Sequence, residues 1–219
     1  MYEVEVKLPA DHTAVRRRLA ELDAEPLGTV IQRDTYYDAP HREFAETDEA
    51  LRIRRVSHGA GRSSGDDEGH GSGGDDDDGD GGDGGDDESD VAARAVDEGD
   101  GGGETRVTYK GPLVDADSKT RREHETGVDD GETMDAILRA LGFEPAAVVE
   151  KERDRFRVGA YTVTLDDVTD LGEYVEVETG SDDVDSAREG AFALLADLGL
   201  DPDDQIRTSY LGLLLADED

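Results

Sequence analysis

The segment MYEVEVKLPA alternates without a break. Tyr2, Val4, Val6 and Leu8 lie on one side, and Glu3, Glu5 and Lys7 on the other. Strict alternation is the period of a β-strand with two unlike faces. The apolar face needs a core, while the other carries carboxylates and an ammonium together. The pattern recurs down the chain. In ALRIRRV, Arg52 and Arg54 oppose Leu51 and Ile53. In TRVTYKG, Arg106, Thr108 and Lys110 oppose Val107 and Tyr109. TRREHETGV sets Arg121, Glu123 and Glu125 on one face, and AVVEKERDRFRVG does the same with Lys151, Arg153 and Arg155. In EYVEVETG, Tyr174, Glu176 and Glu178 oppose Val175 and Val177. Same-face neighbours along a strand stand roughly 6.5–7 Å apart.

Charge on a strand is ordinarily a wet face. One count argues otherwise. The 219 residues include four lysines, Lys7, Lys110, Lys119 and Lys151, and three of them sit on these charged faces. A chain that has shed lysine elsewhere and kept it there points to a closed barrel with a charged interior. Eight strands enclose just enough space for side chains or a small ligand. Inside, Lys and Arg grip phosphate oxygens, and Glu carboxylates hold Mg²⁺ or Mn²⁺. Mixed charge is what a metal–polyphosphate complex needs.

The rest of the chain supplies the other strands and the helices. TVIQRDTYYD and YTVTLDDV complete a set of eight strands. A helix over 12–24 places Val15, Leu19 and Leu22 on one face, with Asp11 as N-cap. A second, over about 131–141, uses Met134, Ile137, Leu138 and Leu141 and stops at Gly142. A third, over about 183–198, buries Val184, Ala187, Ala191, Leu194, Leu195 and Leu198, with Ser181 to cap it and Gly199 to end it. TSYLGLLL is apolar enough to dock as a short helix. The order is not a repeating βαβ, and turn residues between neighbouring strands favour antiparallel hairpins. The expected class is α+β, an eight-stranded antiparallel barrel with helices packed outside.

Residues 59–104 have no hydrophobic period and hold seventeen acids against two bases. They read as a disordered Gly/Asp-rich insertion in the hairpin between two strong strands of one domain spanning 1–219. The Asp/Gly run lacks an EF-hand frame. The acidity extends beyond it, since the formal net charge is −35. Such a surface resembles proteins of salt-loving microbes, where salt screens the self-repulsion. That field repels nucleic acid. The absence of cysteine excludes disulfides and thiolate metal sites. No G-x-x-x-x-G-K-[ST] occurs, and the five histidines show no metal-ligand spacing. No apolar run is long enough to span a bilayer. The expectation is a cytoplasmic protein with neither nucleic-acid nor membrane partners, and with room for a homodimer.

EVEVK resembles the ExExK signature of the CYTH, or triphosphate tunnel metalloenzyme, superfamily. QRDTYYD, ALRIRR, TYKGP, RREHE, VEKERDRF, LDDVTDLGEYVEVE and SYLGLLL follow in the order which that family shows. The flavour is that of class IV adenylate cyclases and the archaeal proteins named after them, here with the composition of a halophilic archaeon. The long acidic insertion departs from the compact family pattern. The resemblance implies a tunnel that binds a triphosphate with Mg²⁺ or Mn²⁺. Glu3 and Glu5 match the metal-linked glutamates, and Glu176 and Glu178 the second acidic pair, with Glu178 the favoured ligand. Lys7, Arg52, Arg54, Lys110, Arg121, Lys151 and Arg153 match the triphosphate ligands. Lys7, Lys151 and Arg54 are the expected catalytic residues among them, and Arg122 is the register alternative to Arg121. Glu123 and Glu125 match acidic tunnel positions, and Asp166 is placed for a metal or water contact. Of Tyr36 and Tyr37, one should face the core. The implied activity is conversion of ATP, a nucleoside triphosphate, to cyclic AMP and pyrophosphate. Hydrolysis of inorganic or thiamine triphosphate is the alternative, and a non-catalytic polyphosphate binder the third reading.

Overall fold

The alternating segments become eight strands: β1 (Tyr2–Pro9), β2 (Glu25–Asp38), β3 (Ala50–His58), β4 (Glu104–Leu113), β5 (Arg121–Val128), β6 (Glu144–Val158), β7 (Tyr161–Val168) and β8 (Gly172–Ser181). The computed structural model describes residues 2–42, 44–58, 103–115 and 117–217. The strands close into a barrel in the order β1-β5-β4-β3-β2-β6-β7-β8, and all neighbours are antiparallel. Helices α1 (His12–Glu21), α2 (Phe44–Thr47), α3 (Gly131–Ala140), α4 (Val184–Asp197) and α5 (Tyr210–Asp217) complete an α+β fold. The expected insertion lies outside the described residues except for its last two. One of those, Glu104, opens β4 and pairs with Val56. Among the described residues no helix is long and apolar enough to cross a membrane.

Two periodicities divide the molecule. The outward residues Val6, Leu8, Val163, Leu165, Val175 and Val177 pack against Val15 and Leu19 of α1 and Ala191, Leu194 and Leu195 of α4. The inward residues carry the charge. Register is therefore locked, since a one-residue slip would move Glu5 and Lys7 into the apolar layer. In the observed register Glu5 faces Glu178 and Lys7 faces Glu176 across β1 and β8. The seam between β1 and β5 is the narrowest pairing, with Glu3 opposite Arg121. Nearby, the Lys119 N–H donates to the Glu5 carbonyl at 3.1 Å. β2 bends at two irregularities against β6; one is at Gly28, whose φ of +94° suits a residue without Cβ.

Helix ends differ from expectation for local reasons. Asp11 caps α1 by accepting from Thr13 and Ala14 N–H. The helix stops at Glu21, so Leu22 becomes its C-cap and is 38 % exposed rather than core. On α3, Leu138 reaches Tyr37 and Ile53, whereas Ile137 and Leu141 stay exposed. The stripe that packs is Met134 and Leu138, in one cluster with Tyr37, Leu51, Ile53 and Val107 of β2, β3 and β4. Asp183, not Ser181, caps α4, accepting from Ser186 N–H at 3.2 Å; Ser181 accepts from Asp183 N–H just before it. TSYLGLLL docks through α5, as its composition predicts.

Candidate active site

The barrel encloses a cavity of about 660 Å³ whose wall is charged with both signs. On one side Glu3 and Glu5 project from β1 and Glu178 from β8. One carboxylate oxygen from each lies within 4.8 Å of the others. Burial pushes Glu3 up to about 8; Glu123, Glu5 and Glu178 add to the shift and Lys110 opposes it. Burial also raises Glu178, against Arg153. Glu5 differs. Burial pushes it up, but Lys119 at 3.2 Å, helped by Lys110 and Lys7, more than offsets that and holds it low. The trio is thus a crowded set of hard oxygen donors. A divalent cation of the Mg²⁺ or Mn²⁺ type fits it, because its charge relieves the repulsion that the fold leaves between them.

Glu176 does not join them. It pairs with Arg153, and although burial alone would raise it, Arg153, Lys151 and Lys7 hold it far below the usual carboxylate range. The expected second acidic pair therefore splits into one member of the metal-type trio and one anchor for the bases.

The bases are arranged by two buried aspartates. Asp34 on β2 accepts from Arg54 Nε at 2.7 Å and Nη2 at 2.6 Å, and from Arg52 Nη1 at 3.1 Å. Asp166 on β7 accepts from Arg153 Nε at 2.6 Å, from Lys151 at 2.8 Å and from the Tyr210 hydroxyl at 3.0 Å. Asp166, placed by the sequence for a metal or water contact, is engaged here by these bases and lies outside the carboxylate trio. Asp34 was not a sequence candidate. Its signal was present in TVIQRDTYYD, where Gln32, Asp34 and Tyr36 share the inward face and all are buried. The Arg52 Nε is buried with no hydrogen-bond partner, as a donor kept for an anionic ligand would be.

The remaining candidates distribute as follows. Lys110 pairs with Glu123 and reaches Glu3 at 3.5 Å. Lys119, off the strand faces in sequence, lines the cavity with Lys110 and Lys151. Lys7 is 1 % exposed and is turned to the Thr208 carbonyl at 2.6 Å; it does not line the cavity. Burial pushes Lys7 down to about 7 and Lys151 to about 8, with Lys119 adding to the first and Arg153 to the second. Arg121 is buried and donates to the Asp48 carbonyl at 2.8 Å, while Arg122 is exposed beside the Tyr2 ring, so Arg121 is the inward register. Glu125 stands at the rim, held by Arg106 at 2.6 Å and Thr108 at 2.8 Å. Tyr36 lies within 3.5 Å of Arg52, whereas Tyr37 packs on Ile53 and Leu138 and donates to Asp135 of α3.

Known proteins share this architecture. A protein of Methanocaldococcus jannaschii named "Putative adenylate cyclase MJ0240" is 31% identical over 217 residues, covering 97% of this chain and 98% of that one. The solved structure of PH1819 from Pyrococcus horikoshii OT3 superposes with a TM-score of 0.74 at 31% identity, over 98% of this chain and 99% of that one. HpAC1 from Hippeastrum, described as a "putative adenylyl cyclase" with a dominant triphosphatase activity, shares the fold. Its TM-score is 0.57 at 14% identity, over 99% of this chain and 95% of that one. The family model for the CYTH domain matches residues 1–210. With the closed barrel, its inward charges and that match in agreement, the chain belongs to the CYTH domain family.

Proposed function

We propose that this protein is a metal-dependent triphosphate-processing enzyme, acting first as a class IV-type adenylate cyclase. The observation that carries the reading is the Glu3–Glu5–Glu178 trio facing buried bases across one cavity. Mg²⁺ or Mn²⁺ bound by the trio would neutralise phosphate charge and acidify an attacking hydroxyl. The chain's own residues do the rest by position. Asp34 fixes Arg52 and Arg54 as a rigid pair of guanidinium donors, suited to phosphate oxygens. Asp166 does the same for Lys151 and Arg153. Groups held before substrate arrives need no reorganisation as charge develops.

In the cyclase reading the ribose 3′-hydroxyl of ATP attacks the α-phosphorus. The hydroxyl proton leaves, the bond to the bridging oxygen breaks, and pyrophosphate departs. The name of the 31%-identical relative supports this reading. So does the apolar part of the wall, with Phe44, Leu51 and Leu113 beside the charged one. Hydrolysis of the terminal phosphate is the second reading, favoured by the activity described for HpAC1. Product analysis separates them. Purified protein in molar KCl with Mg²⁺ or Mn²⁺ is incubated with ATP, thiamine triphosphate and inorganic triphosphate separately. Cyclic AMP and pyrophosphate from ATP are the expected products. Orthophosphate without cyclic nucleotide would replace the cyclase with a triphosphatase.

A further inference from the structure

After the 3-10 turn Pro202–Asp204 the chain returns to the barrel. The Ile206 N–H donates to the Lys7 carbonyl at 2.7 Å, and the Thr208 carbonyl accepts from Lys7 Nζ at 2.6 Å. Tyr210, the first residue of α5, is buried at this point. Its ring centroid lies 3.9 Å from Lys7 Nζ and 4.9 Å from Lys151 Nζ. Its hydroxyl donates to Asp166 Oδ2, the oxygen that Lys151 and Arg153 also reach. Tyr174 braces the ring edge-on at 5.1 Å. Two ammonium groups from strands separated by β7 and β8 in the barrel, β1 and β6, thus meet one aromatic side chain.

The choice of an aromatic has a chemical consequence. Lys151 already has the Asp166 carboxylate at 2.8 Å, and Lys7 the Thr208 carbonyl at 2.6 Å; a further carboxylate between the two lysines would add negative charge that competes with phosphate. A π-face attracts both cations through its quadrupole and adds no net negative charge beside the ligand. We propose that Tyr210 is a positioning residue of the triphosphate site: its ring, held against the buried Lys7, sets Lys151 at the cavity wall, and its hydroxyl sets Asp166 against Arg153. This rests on the triphosphate reading above.

The competing account is that Tyr210 only docks α5, since Leu213 and Leu214 pack in the same cluster. Calorimetric titration of the full chain with inorganic triphosphate and Mg²⁺ distinguishes them. Y210L is expected to weaken affinity about 10-fold or more, and Y210F, which keeps the ring, about 3-fold or less. L213A, which loosens the same helix without touching a lysine, should stay within about 3-fold of wild type. Should Y210L not fold, pentafluorophenylalanine at position 210 keeps the shape and inverts the quadrupole; it should bind weaker than Y210F. Equal affinity for these two ring variants, or a loss in L213A as large as in Y210L, would overturn the positioning role. Wild-type protein that binds no triphosphate would overturn the triphosphate reading itself, and this role with it.

Discussion

Glu178→Gln is expected to lower metal-dependent triphosphate turnover by about 10²-fold or more, while the barrel stays folded. The amide keeps the shape of the side chain and removes the charge from a trio whose oxygens lie within 4.8 Å of each other. Turnover should fall without a matching loss of stability. Burial raises the Glu178 carboxyl above its ordinary value, so the fold disfavours its ionised form. In chelator-treated protein at neutral pH the neutral amide should therefore unfold no more easily than wild type. Steady-state rates with Mg²⁺ or Mn²⁺, paired with thermal unfolding in chelator, read both halves. A fall in stability with turnover intact would make Glu178 structural and remove it from the site.

Asp34→Asn should act the other way, destabilising the protein by about 3–5 kcal/mol. Asp34 is 1 % exposed and is the shared partner of Arg52 and Arg54. Removing its charge leaves two guanidinium groups buried against each other. Burial alone would raise the Asp34 carboxyl, but Arg52 and Arg54 outweigh it and hold it far below the usual range. A folded-state value below the unfolded one contributes stability that is complete above about pH 4 and lost as pH falls from there. Urea unfolding at pH 7 should show the deficit, and the gap between variant and wild type should narrow in acid. Added inorganic triphosphate should restore more stability to Asp34→Asn than to wild type, because an anion can take the place of the lost carboxylate. A variant as stable as wild type would mean that the two arginines do not depend on Asp34.

The barrel was legible because its strands carry opposed faces. Val4 and Val6 against Glu5 and Lys7 fix both the pleat and its inner side, and the lysine count said that the charged side was not simply wet. The family resemblance, carried by ordered motifs from EVEVK to SYLGLLL, placed Glu3, Glu5 and Glu178 before any geometry. Pairing was harder to see. Glu176 and Glu178 look equivalent in EYVEVETG, yet Arg153 claims one and the trio the other. That division depends on β1 lying beside β8 on one side and β6 lying beyond β7 on the other, a closure order that no local pattern holds. Asp34 was hidden for a related reason: an aspartate among strand residues reads as a turn or edge signal until two arginines on the next strand are known to face it. Lys119 and Tyr210 lie outside the strands altogether, so period-two alternation could not place either in the tunnel. The exposed Leu22, Ile137 and Leu141 show the opposite failure. Helical periodicity assigned them to the core, but α1 ends early and α3 packs through Met134 and Leu138.

The central claim is that carboxylates and bases act together on one metal–triphosphate complex. Titrating preformed Mn²⁺–triphosphate into wild type and into a Glu3→Gln, Glu5→Gln, Glu178→Gln triple variant tests it most directly. The account predicts that wild type binds the complex at least about 10-fold more tightly than triphosphate alone, and that the triple variant loses this advantage. Equal affinity of wild type for triphosphate with and without Mn²⁺, or a triple variant that keeps the preference, would contradict it.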